Sequence, residues 1–254
     1  MIIDSFKENE HAIMTAKDFC GEGKDLGEVC VVFFSADVLQ TALSTYDAEP
    51  VALISKSMAR ETVYRIKGTK ILFYHTQMGG PAAGMLLDEA YQETHANHFI
   101  VFGSAGVLNN ELGHGKIMVP SCAYRDEGFS YHYKKPSDYI EIKNANFVAD
   151  FLKESNIPYA IGGTWTTDAF YNETKEAMAK RVEEGCISVD MEAASLQALC
   201  DYRGYQYYTF FFGGDLLDAP IWDYANLGDE KERKSQLNAF SLAVKLARKI
   251  IESR

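Results

Sequence analysis

The sequence predicts an α/β fold in which a central, twisted mixed sheet is flanked by helices. Three observations lead to this prediction: strand-length apolar runs alternate with segments of helical periodicity, Gly-rich segments follow several strands, and a short turn joins two strands. The 254 residues contain no Pro/Gly/Ser-rich linker and no internal repeat. We therefore predict a single domain over residues 1–254.

Elements of the first half follow from apolar runs and turn signals. Val29 to Phe34 is a continuous apolar run of strand length. Lys67-Gly68-Thr69 is typical of a hairpin turn, and Pro81 after a glycine pair is typical of a first helical turn. The predicted strands are 29–34, 51–55, 61–66, 70–75 and 98–102, with helices at 37–46 and from Pro81, and a Gly-rich loop at 103–106.

Elements of the second half continue the alternation. The last helix is predicted from one apolar stripe, which contains Phe240, Ala243, Val244, Ala247, Ile250 and Ile251. The predicted helices are 144–154, 172–184, 191–201 and 229–253, and the predicted strands are 158–163, 186–189 and 206–212. This alternation favours a mostly parallel sheet with helices on both faces.

Composition excludes several classes of protein. The formal net charge is −11 and no dense Lys/Arg block is present, so nucleic acid is not an expected partner. No apolar stretch approaches the ~20 residues that span a bilayer, and charged residues from Lys7 onward leave no signal peptide. The five cysteines form no C-x-x-C pair. A cytoplasmic protein without a membrane partner is therefore expected.

Chemistry is expected in the loops that follow the strands, because ligands of α/β sheets bind at the carboxyl ends of strands. Four such segments contain Gly79 with Gly80, Gly103 to Gly106, Asp190-Met191-Glu192 and Gly213-Gly214-Asp215. None contains G-x-G-x-x-G or Gly-Lys-Ser/Thr, which excludes dinucleotide fingerprints and Walker loops. The spacing of the histidines predicts no metal site.

Three carboxyl groups have alternative interpretations. Asp190 and Glu192 either favour the positive end of a following helix or clamp the vicinal hydroxyls of a sugar. Asp215 follows the largely aromatic run 207–212, so its carboxyl is expected beside apolar surface, an environment suited to a general acid. Alternatively, Asp215 forms a turn together with the nearby Asp218 and Pro220.

Four motifs together resemble the nucleoside phosphorylase family, which includes uridine phosphorylases, hexameric purine nucleoside phosphorylases and methylthioadenosine/adenosylhomocysteine nucleosidases. The motifs are Met78-Gly79-Gly80-Pro81, Gly103-Ser104-Ala105-Gly106-Val107, Trp165-Thr166-Thr167-Asp168-Ala169-Phe170-Tyr171 and Val189-Asp190-Met191-Glu192-Ala193-Ala194. The resemblance extends from about Val29 to Asp215. It implies a phosphorylase/hydrolase-like domain.

The resemblance also implies roles for individual residues. Glu192 matches the glutamate that holds the ribose hydroxyls, and Met191 the methionine that packs on the sugar. Phe170 matches the aromatic that stacks on the base, and Asp215 the aspartate that protonates a purine ring nitrogen. The implied phosphate or water site comprises Ser35, Thr76, Gly103 and Ser104, and Ser104 is also implied in ribose binding. No cofactor is implied beyond phosphate as co-substrate.

The sequence departs from the family at its cations. Uridine phosphorylases place Gln and Arg where this chain has Thr174 and Glu176, so a purine base is favoured over uracil. The family's phosphate-binding arginines are absent at Leu39, Ser57 and Val101. Lys56, Arg60 or Arg125 are candidates to compensate, and His11 is a candidate for the family's N-terminal histidine, which serves a neighbouring subunit.

These expectations favour a purine nucleoside phosphorylase that releases base and ribose 1-phosphate in purine salvage. One alternative is a nucleosidase that uses water, which the missing arginines favour. The other is a nucleoside-binding protein without catalysis. The resemblance implies a homodimer or a hexamer built as a trimer of dimers, with a small-molecule nucleoside and phosphate as partners.

Overall fold

The computed structural model describes residues 1–8, 11–54, 60–113, 115–218 and 230–254, and in the last helix the side chains from residue 234 onward. The strands are β1 Val29–Phe33, β2 Ala48–Ile54, β3 Glu61–Ile66, β4 Ile71–His75, β5 His98–Val107, β6 Ile117–Asp126, β7 Tyr139–Glu141, β8 Tyr159–Thr167, β9 Cys186–Asp190 and β10 Gln206–Leu216. The helices are α1 Ala16–Cys20, α2 Ala36–Thr45, α3 Gly80–Thr94, α4 Asn110–Gly113, α5 Ala145–Glu154, α6 Lys175–Glu183, α7 Ala193–Arg203 and α8 Glu230–Glu252. Within these ranges, none of the helices is both long and apolar enough to cross a membrane.

The predicted α/β fold with a mixed sheet is confirmed. Among the described strands, five pairings are parallel and five are antiparallel. The expectation of a mostly parallel sheet was therefore too strong. The predicted hairpin β3–β4 and the hairpin β2–β3 supply two of the antiparallel pairings. The strands β6 and β7, which the sequence did not predict, supply two more.

Strand β6 was missed because its sequence is atypical of a strand. Pro120 cannot donate to a ladder and lowers the strand signal, and the register with β8 shifts between Pro120 and Cys122. The pairing of β6 with β8, β7 and β10 stabilises the strand despite this interruption. Tertiary pairing thus outweighs the local sequence preference.

Five strands close into a ring that forms one end of the sheet. Strand β10 pairs with both β5 and β6, β8 pairs with β6 and β9, and β9 pairs back with β5. The remaining strands continue from β5 in the order β1, β4, β3 and β2. The ring brings the carboxyl ends of β5, β9 and β10 together, although these strands are far apart in the chain.

The structure corrects the prediction of glycine-rich loops at residues 103–106 and 213–215, because both segments lie inside strands. Residues 103–106 lie inside β5 and residues 213–215 lie inside β10, where Ser104 is opposite Phe212 and Ala105 is opposite Gly213. Gly106 is also opposite Val189 of β9. Pairing of β5 with β10 and β9 keeps this segment extended, whereas glycine alone disfavours a strand.

The core packs helix α8 against the sheet along the predicted apolar stripe. The Phe240 ring makes edge contacts with Phe33 and Phe73, each with ring centroids 5.4 Å apart. Strand β1 is buried along its whole length, as its continuous apolar run predicts. This rigid core supports the strand ends at which polar side chains gather.

Candidate active site

A cavity of about 130 Å³ opens where the carboxyl ends of β5, β9 and β10 meet. Its lining includes Ser104, Phe170, Met191, Glu192 and Asp215, all residues to which the sequence assigned a base or sugar contact. Gly103 of the predicted phosphate or water site also lines it. The fold therefore brings residues that are more than 100 positions apart in the chain to one small cavity.

Glu192 lies at the start of α7 and faces the start of α3. The Gly79 N–H donates a hydrogen bond of 2.6 Å to Glu192 Oε1. Gly79 has a φ of +94°, a conformation that glycine adopts readily. Burial and the nearby Asp190 charge raise the pKa of Glu192 to about 8, although the Gly79 hydrogen bond opposes this shift. The carboxyl is half-buried, and with this pKa it ionises as the pH rises through about 8.

Asp190 is held entirely by the protein. Its Oδ1 accepts hydrogen bonds from the Thr164 and Thr166 hydroxyls, at 3.0 and 2.9 Å. Its Oδ2 accepts from the backbone N–H groups of Glu192 and Ala193, at 2.8 and 2.6 Å. Burial raises the pKa of Asp190 and these bonds oppose the increase. Of the two interpretations, Asp190 therefore fits the helix-terminal one, and Glu192 lines the cavity with one of its oxygens bonded to Gly79.

Asp215 is a buried strand residue rather than a turn residue. It lies in β10, 6% exposed, where the register with β5 is irregular between Gly213 and Leu216. A Cβ on Gly106 of β5 would lie 3.3 Å from Asp215 Oδ1 and 2.7 Å from Val189 Cγ1. Gly106 thus leaves room for the Asp215 carboxyl at the cavity wall.

Glu173 also lines the cavity, and the sequence did not single it out. It directly follows the 3-10 helix Phe170–Asn172, so it lies three residues after the candidate stacking residue Phe170. Burial raises the pKa of Glu173 to about 7, and the Asp215 charge adds to the increase. The signal that could have identified Glu173 in the sequence is its position three residues after the candidate stacking residue Phe170.

The positions that distinguish uridine phosphorylases lie outside the cavity. Thr174 begins helix α6, where its hydroxyl accepts a hydrogen bond from the Ala177 N–H at 3.2 Å. Glu176 is exposed in the first turn of the same helix. Neither residue is among those that line the cavity.

The predicted phosphate or water residues divide into two groups. Gly103 and Ser104 line the cavity, whereas Ser35 and Thr76 do not. Ser35 lies half-buried before α2. Thr76 is fully buried, and its Oγ1 has no hydrogen-bond partner in the described part of the chain. Ser35 follows β1, which pairs with β5, whereas Thr76 follows β4, which pairs with β1 and lies one strand further from β5.

Of the candidate replacement cations, the two that the structure describes, Arg60 and Arg125, are not among the residues that line the cavity. Arg125 is buried and donates hydrogen bonds to Ser130 Oγ at 2.7 Å and Lys135 O at 2.7 Å, so it holds a neighbouring loop. Arg60 is exposed and does not line the cavity. Lys56 and Ser57 lie outside the described residues. The other two positions without arginine are Val101, buried in β5, and Leu39, half-buried on α2, while His11 is exposed.

The charged side chains around the cavity are all acidic. Over the described ranges its lining includes Glu173, Asp190, Glu192 and Asp215, and no Lys, Arg or His. Carboxyl groups this close disfavour one another's ionisation, consistent with the raised pKa values of Glu173 and Glu192. The cavity is therefore suited to a ligand that offers hydrogen-bond donors.

A larger cavity of about 470 Å³ lies on the other side of the β10 end. It shares Asp215 with the first cavity and extends to Lys116 and Lys245. Phe170, Met191 and Glu192 do not line it. The side chains assigned to the sugar and the base therefore belong to the smaller cavity.

The Gly80→Ala substitution tests how the start of α3 positions Glu192. A Cβ at Gly80 would lie 2.2 Å from Ser195 Oγ, and that hydroxyl donates 2.6 Å to the buried carboxylate of Glu127. We expect an overpacking cost of about 1–3 kcal/mol, measured as a lower thermal midpoint, together with weaker ligand binding. An unchanged midpoint would contradict this close packing.

The chain is similar in sequence to known proteins. A family model described as the phosphorylase superfamily matches residues 28–253. The chain is 24% identical over 183 residues to the DeoD-type purine nucleoside phosphorylase of Bacillus velezensis, which covers 71% of this chain and 75% of that protein. It is 25% identical over 189 residues to the DeoD-type purine nucleoside phosphorylase of Alkaliphilus metalliredigens, covering 73% of this chain and 78% of that protein.

The solved structures include a similar fold. The AMP nucleosidase from Bacteroides thetaiotaomicron matches with a TM-score of 0.68 and 17% identity, over 90% of each chain. At this identity the similarity concerns the fold, which agrees with the mixed sheet described above.

Proposed function

The chain belongs to the phosphorylase superfamily, as its four motifs predicted, and we propose that it cleaves the N-glycosidic bond of a purine nucleoside with water as the acceptor. One observation carries the proposal: Glu192, Phe170 and Asp215 line the same cavity. These side chains match a sugar clamp, a stacking surface for the base and an acid. Their common location is what cleavage of a nucleoside requires.

In the proposed reaction each group has a separate task. The Glu192 carboxylate accepts hydrogen bonds from the ribose hydroxyls, and Met191 packs against the sugar. Water adds to C1′ while the electron pair of the C1′–N9 bond leaves with the base. Asp215 places its proton on the departing base, and a proton from the attacking water restores the acid. The surrounding carboxylates stabilise the positive charge that develops on the sugar.

Water is favoured over phosphate because the cavity is acidic. A phosphate dianion would lie beside Glu192 and Asp190, and the ionised form of either carboxyl would repel it in a partly buried site. Phosphate-binding sites normally balance the phosphate charge with Arg or Lys side chains, but the described residues that line this cavity include neither. Water carries no charge and meets no such opposition.

Phosphorolysis is the second candidate. It is supported by the two relatives named purine nucleoside phosphorylases. It is also supported by Gly103 and Ser104, which line the cavity. The backbone N–H of a glycine and the hydroxyl of a serine are typical contacts of an oxyanion.

We propose further that the protein is a homo-oligomer. Met78 and Tyr171 beside the cavity are 73% and 99% exposed, and large exposed apolar groups often mark contacts between chains.

The test measures free base released from adenosine, inosine, methylthioadenosine and uridine, with and without phosphate. We expect purine release at the same rate in phosphate-free buffer, with ribose as the second product. Release that requires phosphate and yields ribose 1-phosphate would establish the second candidate instead. Tight nucleoside binding without release would identify a binding protein and overturn both candidates.

A further inference from the structure

We propose that Glu173 determines which purine the protein accepts, by accepting a hydrogen bond from the N6 amino group of a 6-aminopurine while Asp215 serves N7. This inference rests on the proposed function, because it assigns the base within the same cavity. It concerns a residue that lies outside the four motifs.

The backbone directs Glu173 to the edge of the bound base. The 3-10 helix Phe170–Asn172 places Phe170 and Glu173 three residues apart, and side chains at this spacing project in the same direction in such a turn. Both line the cavity. If Phe170 stacks on the face of the base, Glu173 reaches its edge from the same segment.

Asp215 lines the same cavity from a different element of the fold. It projects from β10, whereas Glu173 belongs to the segment between β8 and α6. The Asp215 charge acts on Glu173 and, together with burial, raises its pKa to about 7. The remaining carboxyls of the cavity are Glu192 and Asp190 at the β9–α7 junction, and Asp190 already accepts four hydrogen bonds.

In this assignment Asp215 holds a proton when a purine is bound, as the proposed reaction requires, so that Asp215 presents a donor and the Glu173 carboxylate an acceptor. The matching edge of adenine offers an acceptor at N7 and a donor at the N6 amino group. A 6-oxopurine offers acceptors at both N7 and O6, so its O6 would face the Glu173 carboxylate without a proton between them. The pair therefore favours a 6-aminopurine and rejects a 6-oxopurine.

The Glu173→Gln variant tests this assignment through the ratio of kcat/KM for adenosine to kcat/KM for inosine. A carboxamide can turn its NH2 group toward O6, so we expect the ratio to fall at least about tenfold, as losing or gaining one matched hydrogen bond in a site predicts. Glu173→Ala should lower adenosine turnover without improving inosine. Glu176→Gln, an exposed carboxyl on α6, is the matched control and should leave the ratio unchanged.

The outcomes separate this inference from the proposed function. If the wild-type protein cleaves purine nucleosides and Glu173→Gln leaves the ratio unchanged, the role of Glu173 is overturned while cleavage stands. If the wild-type protein releases no base from any nucleoside, the proposed function fails. Calorimetric binding of adenine and hypoxanthine to wild type and Glu173→Gln then decides the inference, which requires a preference for adenine that the variant loses.

Discussion

Replacing Asp215 by asparagine is expected to lower kcat/KM for a purine riboside by about 10²- to 10⁴-fold, the usual contribution of a general acid. Asparagine has nearly the same shape but cannot donate an acidic proton to the base. The measurement is the rate of base release by wild type and variant at one pH, with circular dichroism to show that the fold is retained.

A change of leaving group separates proton donation from a structural effect. The 4-nitrophenolate of 4-nitrophenyl riboside departs without protonation, so its cleavage should lose far less activity in Asp215→Asn than purine release does. Asp218→Asn is the matched control, because Asp218 is exposed and its carboxylate accepts a 2.7 Å hydrogen bond from the Asn110 N–H. Equal losses with both substrates would exclude Asp215 as the acid.

Replacing Glu192 by glutamine should lower kcat/KM for ribosides by about 10- to 100-fold, because hydrogen bonds to a charged group contribute about 1.5–3 kcal/mol. The loss should be much smaller for 2′-deoxy and 3′-deoxy nucleosides, each of which lacks one of the two hydroxyls. Equal losses with all three sugars would contradict the clamp. Glu176→Gln again supplies a carboxyl-to-amide control outside the cavity.

The pH dependence of binding gives a second readout for Glu192. Its pKa is raised to about 8 by burial and by Asp190, so the ionised, hydroxyl-accepting form increases as pH rises from 7 to 9. The affinity for a riboside that cannot react should therefore increase over this range in wild type and stay flat in Glu192→Gln. Because ionising a group with a raised folded-state pKa destabilises the fold, the variant should be no less stable than wild type at pH 9.

Much of the fold followed from local patterns. The apolar run of β1, the hairpin turn before β4 and the stripe of α8 each specify their element through burial and turn chemistry. The strand β6 and the extended glycines of β5 did not follow, because their conformation depends on neighbours distant in the chain. Local sequence preference carries no information about such neighbours.

The candidate site divides in the same way. The resemblance identified Glu192, Phe170 and Asp215, and the structure brings them to one cavity. Residue type and position alone did not distinguish Asp190 from Glu192, because the difference lies in hydrogen bonds from Thr164 and Thr166 on the adjacent strand β8. They also gave no weight to Glu173, whose relevance depends on its proximity to Asp215 on β10.

The sequence by itself determined the fold class, the family and the residue types that we propose meet a nucleoside. Only the tertiary structure decided which carboxyls share a cavity, which one is occupied by the protein's own donors, and that Arg125 is committed elsewhere. The physical reason is that apolar periodicity is set by neighbours along the chain, whereas the ionisation and availability of a side chain depend on burial and on charges brought close by strand pairing.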